Sequence, residues 1–242
     1  MATPKSTQFN CFSPPIMLAT FIIEIVLAVY TLVRYKMSVL SRLVVASLVS
    51  LAVFQLAEYH VCGGMGLRAE QWSRLGYVAI SLLPPLGLHM MHVLADKPRR
   101  RYIRGAYIVM VGCVGYFLLS PTAFTGYQCT GNYVIFQIGE RAAILYALYY
   151  YGLLFSSMGF GITWANELKL AAKKLPKRLA AVRALIVGYL VFLVPTAIAN
   201  SVNPATRRGI PSIMCGFAVL FALILSFYIM PKLATSRRAI EE

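Results

Sequence analysis

Charge is scarce in this 242-residue chain: 13% of its residues are charged, and Asp and Glu together number eight. A soluble globular domain is about one-quarter charged, so the composition excludes a water-soluble enzyme and a disordered segment. Catalytic signatures are missing too. No GxSxG elbow, phosphate-binding P-loop or HExxH motif occurs. Three histidines do not reproduce the His-rich pattern of seven-helix zinc hydrolases, and His60 and His92 fall at opposite depths, which leaves no bis-His haem pair. The last apolar run holds no lysine before Lys232, so a retinal Schiff base has no anchor there. No Cys/His spacing supports a metal centre, and no cofactor is identifiable. Segments 13–121 and 140–231 share no motif of the kind inverted-repeat transporters carry.

What is present is apolar: 59% of residues are hydrophobic and the mean hydropathy is +0.70. Crossing about 30 Å of hydrocarbon takes about 20 such residues in a helix. Seven runs qualify, approximately 13–34, 40–62, 74–95, 104–121, 140–165, 184–203 and 210–231. Backbone groups in lipid need internal partners, and the runs lack the alternation of barrel strands, so helices are expected. The expected fold is all-α: a polytopic membrane protein with seven transmembrane helices in one domain. The connections 122–139 and 166–183 are too short to bury cores of their own. The first run is longer than a signal-peptide core and has no A-x-A cleavage pattern, so it is read as a retained helix.

The formal charge of +15 and the pI of about 9.8 would point to nucleic acid in a soluble protein. Here the basic residues segregate by loop, seventeen on one face against six on the other. The positive-inside rule explains that asymmetry without a nucleic-acid partner. It puts the N-terminus outside and the C-terminus in the cytoplasm. The segment NELKLAAKKLPKRLAAVR carries Lys169, Lys173, Lys174, Lys177 and Arg178. It is expected to meet anionic lipid headgroups or a partner protein on the cytoplasmic side.

Under this topology Cys11, Cys62 and Cys129 face the oxidising side, and three single pairings are open. Cys62 with Cys129 is preferred, because the Gly-flanked stretch GYQCTGNY is able to fold back over the end of helix two. Cys11 with Cys62 is the close alternative, and three free thiols the remaining one.

Ionisable groups inside hydrocarbon are costly, and each is a functional candidate by default. Glu24 sits near the middle of helix one, Glu58 and His60 in the outer third of helix two, and His89 and His92 in the inner half of helix three. At 1.5 Å per residue, Glu24 is about 15 Å deep and His89 about 20 Å deep, so the two would meet if helices one and three touch. Glu58, only about 6 Å deep, is expected to pair with Arg74 or Arg141. Four residues, Glu24, Glu58, His89 and His92, have metal-binding chemistry but scattered depths. A Glu24–His89 proton relay and plain interhelical hydrogen bonding are the other two readings. Pro84-Pro85 is expected to kink helix three just before His89, and Pro195 to kink helix six. Glu24, Pro84, His89, Pro195 and Asn200 thus mark the expected ligand cavity. Tyr146, Tyr149, Tyr150 and Tyr151 either line it or pack against neighbours. Trp72 and Trp164 are expected at opposite membrane interfaces.

At FQLAEYHVCGG, followed by WSRLGYVAISLLPPLGLHMMHVL, the chain resembles the N-terminal seven-helix sensor region of some prokaryotic histidine kinases. Cys11-Phe12-Ser13 resembles the start of a set of small uncharacterised prokaryotic seven-helix proteins. The resemblance spans 11–13 and roughly 54–94, with Glu58, Trp72, Arg74, Pro84 and Pro85 as the matched positions. It implies a prokaryotic, ligand-sensing or complex-associated membrane module in the cell membrane. Only PKLATSRRAIEE follows the last span, so signalling is expected to pass through a separate membrane-protein partner or a homo-oligomer. The function expected is therefore a non-enzymatic, receptor-like sensor or accessory subunit. A transporter or proton-conducting protein using Glu24 and His89 is the alternative, and a metal-dependent membrane enzyme the second.

The orientation is checked with reporter fusions. Green fluorescent protein joined to residue 242 is expected to fluoresce, and alkaline phosphatase joined there to stay inactive; the reverse pattern overturns the assignment.

Overall fold

The computed structural model describes residues 14–63, 66–97, 99–129, 134–170 and 175–236. Among the described residues seven long helices follow one another: α1 (Pro14–Arg34), α2 (Val39–Gly63), α3 (Ala69–Ala95), α4 (Arg100–Leu119), α5 (Glu140–Leu170), α6 (Pro176–Val202) and α7 (Ile210–Leu233). Each is long and apolar enough to cross a membrane. Between α4 and α5 lies an element absent from the sequence reading, an antiparallel β-hairpin of β1 (Phe124–Cys129) and β2 (Val134–Ile138).

The outward faces are apolar. Ile108 and Val111 on α4, and Leu145, Leu148, Phe155 and Ile162 on α5, are each 52–71% exposed. Small hydroxyls are buried instead, and they donate to carbonyls one turn earlier: Ser47 to Leu43 at 2.9 Å, Ser81 to Tyr77 at 2.6 Å, Thr196 to Phe192 at 2.7 Å. This arrangement suits a hydrocarbon surround, where every polar group must find its partner within the chain.

The hub is α3, which packs on α2, α4, α5 and α6, while α1 lies against α2 and α7. Two glycines permit close approach around it. A Cβ at Gly87 would stand 2.5 Å from the Tyr189 hydroxyl on α6, and one at Gly188 would stand 2.6 Å from the Phe221 ring on α7.

Three helices overrun their apolar runs. The first turn of α3 begins at Ala69, five residues before the expected start. It is held by Gln71 Oε1 accepting from the Arg68 backbone N–H at 3.0 Å and by the Glu70–Arg74 pair at 2.8 Å, one turn apart. α6 begins at Pro176, whose fixed φ suits a first helical position. α5 continues to Leu170, where Glu167 pairs with Lys97 beyond the end of α3.

The end of α3 accounts for one residue of the basic segment. Asp96 turns left-handed (φ 59°, ψ 38°), and the Lys97 N–H donates back to the His92 carbonyl at 3.0 Å. Arg178 then donates to the Val93 and Leu94 carbonyls, each at 3.3 Å, and pairs with Asp96 at 3.3 Å. Arg178 therefore closes α3, whereas Lys169 and Lys177 are exposed. Lys173 and Lys174 lie outside the described residues.

α3 stays helical through Pro84 and Pro85, and α6 through Pro195. In α7 it is Pro231 that perturbs the helix: lacking an N–H and crowding the carbonyl four residues back, it follows a π-helical stretch, Ile224–Ile229.

Arg74 is also placed differently from expectation. Its guanidinium bonds Glu70 and donates to the carbonyls of Phe117, Leu118 and Ser120 at 2.9, 3.2 and 2.9 Å, which satisfies the end of α4. It is not the partner of Glu58, and Arg141 is exposed. Arg74→Ala strips three carbonyls of a charged donor and is expected to cost about 2–3 kcal/mol. Thermal unfolding in detergent, followed by circular dichroism, checks this; Arg74→Lys should restore only part, since an ammonium lacks the fork.

Candidate functional site: a roofed cavity beside two buried carboxylates

The hairpin is seated by its second strand. Val134, Ile135 and Phe136 are buried, while most of β1 is exposed. Phe136 meets Phe54 of α2 and Tyr77 of α3, with ring centroids 5.8 and 5.6 Å apart. Tyr77 further contacts Phe117 of α4, Phe124 of β1 and Tyr146 of α5, at 4.7, 5.2 and 5.3 Å. Edge-to-face and tilted contacts of this kind add to the area they bury. A disulfide joins Cys62 at the end of α2 to Cys129 at the end of β1, with Cα atoms 5.9 Å apart. Cys11, the alternative partner, lies outside the described residues. The Val134 N–H donates to Ser212 Oγ on α7 at 3.3 Å, which ties the roof to the first turn of that helix.

Beneath this roof, between α3, α5 and α7, is a cavity of about 550 Å³, a size typical of small-molecule sites. Ile80, Ile135, Ala147 and Met214 give it apolar walls; Tyr77, Tyr146, Tyr150 and Tyr151 give it an aromatic girdle. Among the described residues that line it, none is charged. A smaller void of about 30 Å³ lies against Ser47, Pro84, Gly87 and Tyr189, and shares Tyr150 and Cys215 with the first. The α5 tyrosines thus divide their work: three border the main cavity, and Tyr149 donates to the Ser81 carbonyl at 2.5 Å.

Two buried carboxylates lie within electrostatic reach of residues that border the cavity. Glu24 has no exposed surface and Glu58 is 1% exposed. They lie within electrostatic reach of each other, and the Ser212 hydroxyl lies against Glu58. Both oxygens of Glu24, Oε1 of Glu58 and Nε2 of Gln55 lack a hydrogen-bond partner. Among the described residues no basic side chain forms an ion pair with either carboxylate. Cys215 is within electrostatic reach of both and Tyr77 of Glu58, and these two residues also border the cavity.

The expected Glu24–His89 pairing is not formed. His89 Nδ1 meets the Tyr107 hydroxyl of α4 at 3.2 Å. His92 Nδ1 is 2.8 Å from the Leu88 carbonyl, and its ring packs on Phe160 and Trp164 of α5. Both histidines therefore face α4 and α5, whereas the charged neighbour of Glu24 is Glu58 on α2. The four residues of the metal reading are split the same way, and no group of three His, Cys, Asp or Glu able to hold a metal occurs among the described residues. Trp164 is 1% exposed, stacked on Phe160, and so is a core residue and not an interface anchor; Trp72 stacks on His60 at 4.5 Å. Asn200 accepts from Thr206 Oγ1 at 2.7 Å beyond the last turns of α6. Of the five residues expected to mark a cavity, only Pro84 borders one of these two voids.

The hairpin had a readable signal. FTGYQC and VIFQI are rich in β-branched and aromatic residues and flank a Gly-Asn pair. Ser212 and Cys215 had none, since nothing in an apolar run tells which residues face a neighbour's carboxylate. The chain matches no protein-family model and no curated protein sequence.

Because its oxygens are buried without partners, Glu24 costs the fold free energy. Glu24→Met, similar in shape and free of those oxygens, is expected to raise stability by about 1–3 kcal/mol. A higher midpoint in detergent-solubilised thermal unfolding is the predicted result; a fall would mean that Glu24 has an interhelical partner.

Proposed function

We propose that this chain is a non-enzymatic, receptor-like membrane protein that binds a small, mainly apolar molecule in the cavity beneath the hairpin. The observation that carries the reading is the cavity itself: about 550 Å³, walled by three helices and roofed by a disulfide-pinned hairpin. A membrane bundle packed only for stability has no reason to keep such a volume open, since each unfilled space forfeits contacts. A roof tied at once to α2, α3 and α7 gives an occupant purchase on three helices, and an occupant that favours one arrangement of those helices shifts the population toward it.

In this reading the hairpin end faces outward and the basic end faces the cytoplasm of a prokaryotic cell. Lys169 and Lys177 meet anionic headgroups there, and binding is passed to a second membrane protein or a second copy of the chain. The transport reading rested on a Glu24–His89 relay and has no comparable support.

The test is intact-assembly mass spectrometry after gentle extraction of the tagged protein from native membranes. A retained small molecule is expected in the wild-type protein, with loss of at least tenfold in occupancy in Ala147→Trp, which fills the cavity from α5. Equal occupancy in the two proteins overturns the cavity as the binding site. A stoichiometric partner protein in the same spectra identifies the output.

A further inference from the structure

The buried carboxylates bear on what the cavity accepts. Three of their four oxygens have no hydrogen-bond partner, and no basic residue among those described pairs with them. A carboxylate in that condition is stabilised in one of two ways, by taking up a proton or by a cation brought from outside the chain. The cavity supplies the place for the second. Two residues of its wall sense the carboxylates: Tyr77 is within electrostatic reach of Glu58, and Cys215 of both Glu58 and Glu24. Its lining adds no charge of either sign among the described residues, and Glu58 and Glu24 are the acidic groups within electrostatic reach of its wall residues. Tyr77, Tyr146, Tyr150 and Tyr151 offer ring faces, whose negative quadrupole attracts an ammonium group. An anionic ligand meets repulsion from the carboxylates in a medium of low dielectric, where it is least screened.

We infer that the ligand of this cavity is an organic cation, an apolar body seated among the four tyrosines with its ammonium group drawn toward Glu58 and Glu24. The inference rests on the cavity being the binding site proposed above, and it adds the charge of the occupant. It also gives a use to two carboxylates that the fold does not otherwise satisfy.

The test compares 4-phenylbutylamine with 4-phenylbutan-1-ol, which share a skeleton and differ at the terminal group. Binding to the full chain in phosphatidylcholine nanodiscs is measured by calorimetry, the uncharged leaflet surface keeping headgroups from selecting the amine. The amine is expected to bind about tenfold or more tightly than the alcohol, through attraction across the wall in a medium of low dielectric. In Glu58→Gln that preference should collapse to within about twofold while alcohol affinity is unchanged, which also reports that the cavity has folded. Glu24→Gln provides the same reading if Glu58→Gln does not assemble. Equal affinities in the wild-type protein overturn the inference and leave the cavity reading standing. Binding of neither compound overturns both. An amine preference that survives in Glu58→Gln and in Glu24→Gln overturns the inference as well, since its origin then lies elsewhere.

Discussion

Tyr77 joins the parts of this protein that would otherwise be unconnected at the hairpin end. Its ring touches α4, both strands of the hairpin and α5, and its own helix is the one on which most of the bundle packs. The hairpin cannot cover the bundle by backbone pairing, because a two-stranded sheet is only marginally stable alone. Side-chain burial must do it, and Phe136 against Tyr77 and Phe54 is where that burial is concentrated. The disulfide fixes the far corner of the same roof and the Val134–Ser212 bond its inner edge. Remove the aromatic seat and the cavity has walls but no cover.

The same residue stands between two environments. Tyr77 borders the cavity and lies within electrostatic reach of Glu58. The neighbouring wall residue Cys215 has the same double aspect and lies near both carboxylates. A fold optimised for stability alone would have an apolar residue at position 24, and the departure from that choice falls within electrostatic reach of Cys215, which borders the cavity. Departures from stable packing that gather around one cavity are the physical mark of a site, and they form the common ground of the function and the ligand chemistry proposed above.

The seven spans are legible in the sequence because bilayer thickness and backbone satisfaction leave so few solutions. What lies inside the bundle is much less so. Depth counted from each helix's own end puts Glu24 level with His89 and well below Glu58. That count assumes upright helices with level ends, and Glu24 and Glu58 nonetheless lie within electrostatic reach of each other. Helix rotation is equally hidden. His89 and His92 look central by depth but turn toward α4 and α5, and Trp164 looks like an interface residue but is enclosed. Arg74 was legible as a charge near the surface; its actual use, closing α4, depends on where a helix 43 residues away happens to end.

The Cys62–Cys129 bond encloses α3, α4 and β1 in a covalent ring. Cys129 leaves the ribosome before any residue of α5, so in an oxidising compartment this ring is able to close while the last three helices are still being made. The cavity would then be built from the top down, its roof locked first and the walls from α5 and α7 fitted beneath it. A translocation defect that delays those helices would leave a covalently sound but hollow intermediate with its aromatic underside bare. Quality-control machinery that reads exposed apolar surface would recognise such a chain, even though its only disulfide among the described residues had formed correctly.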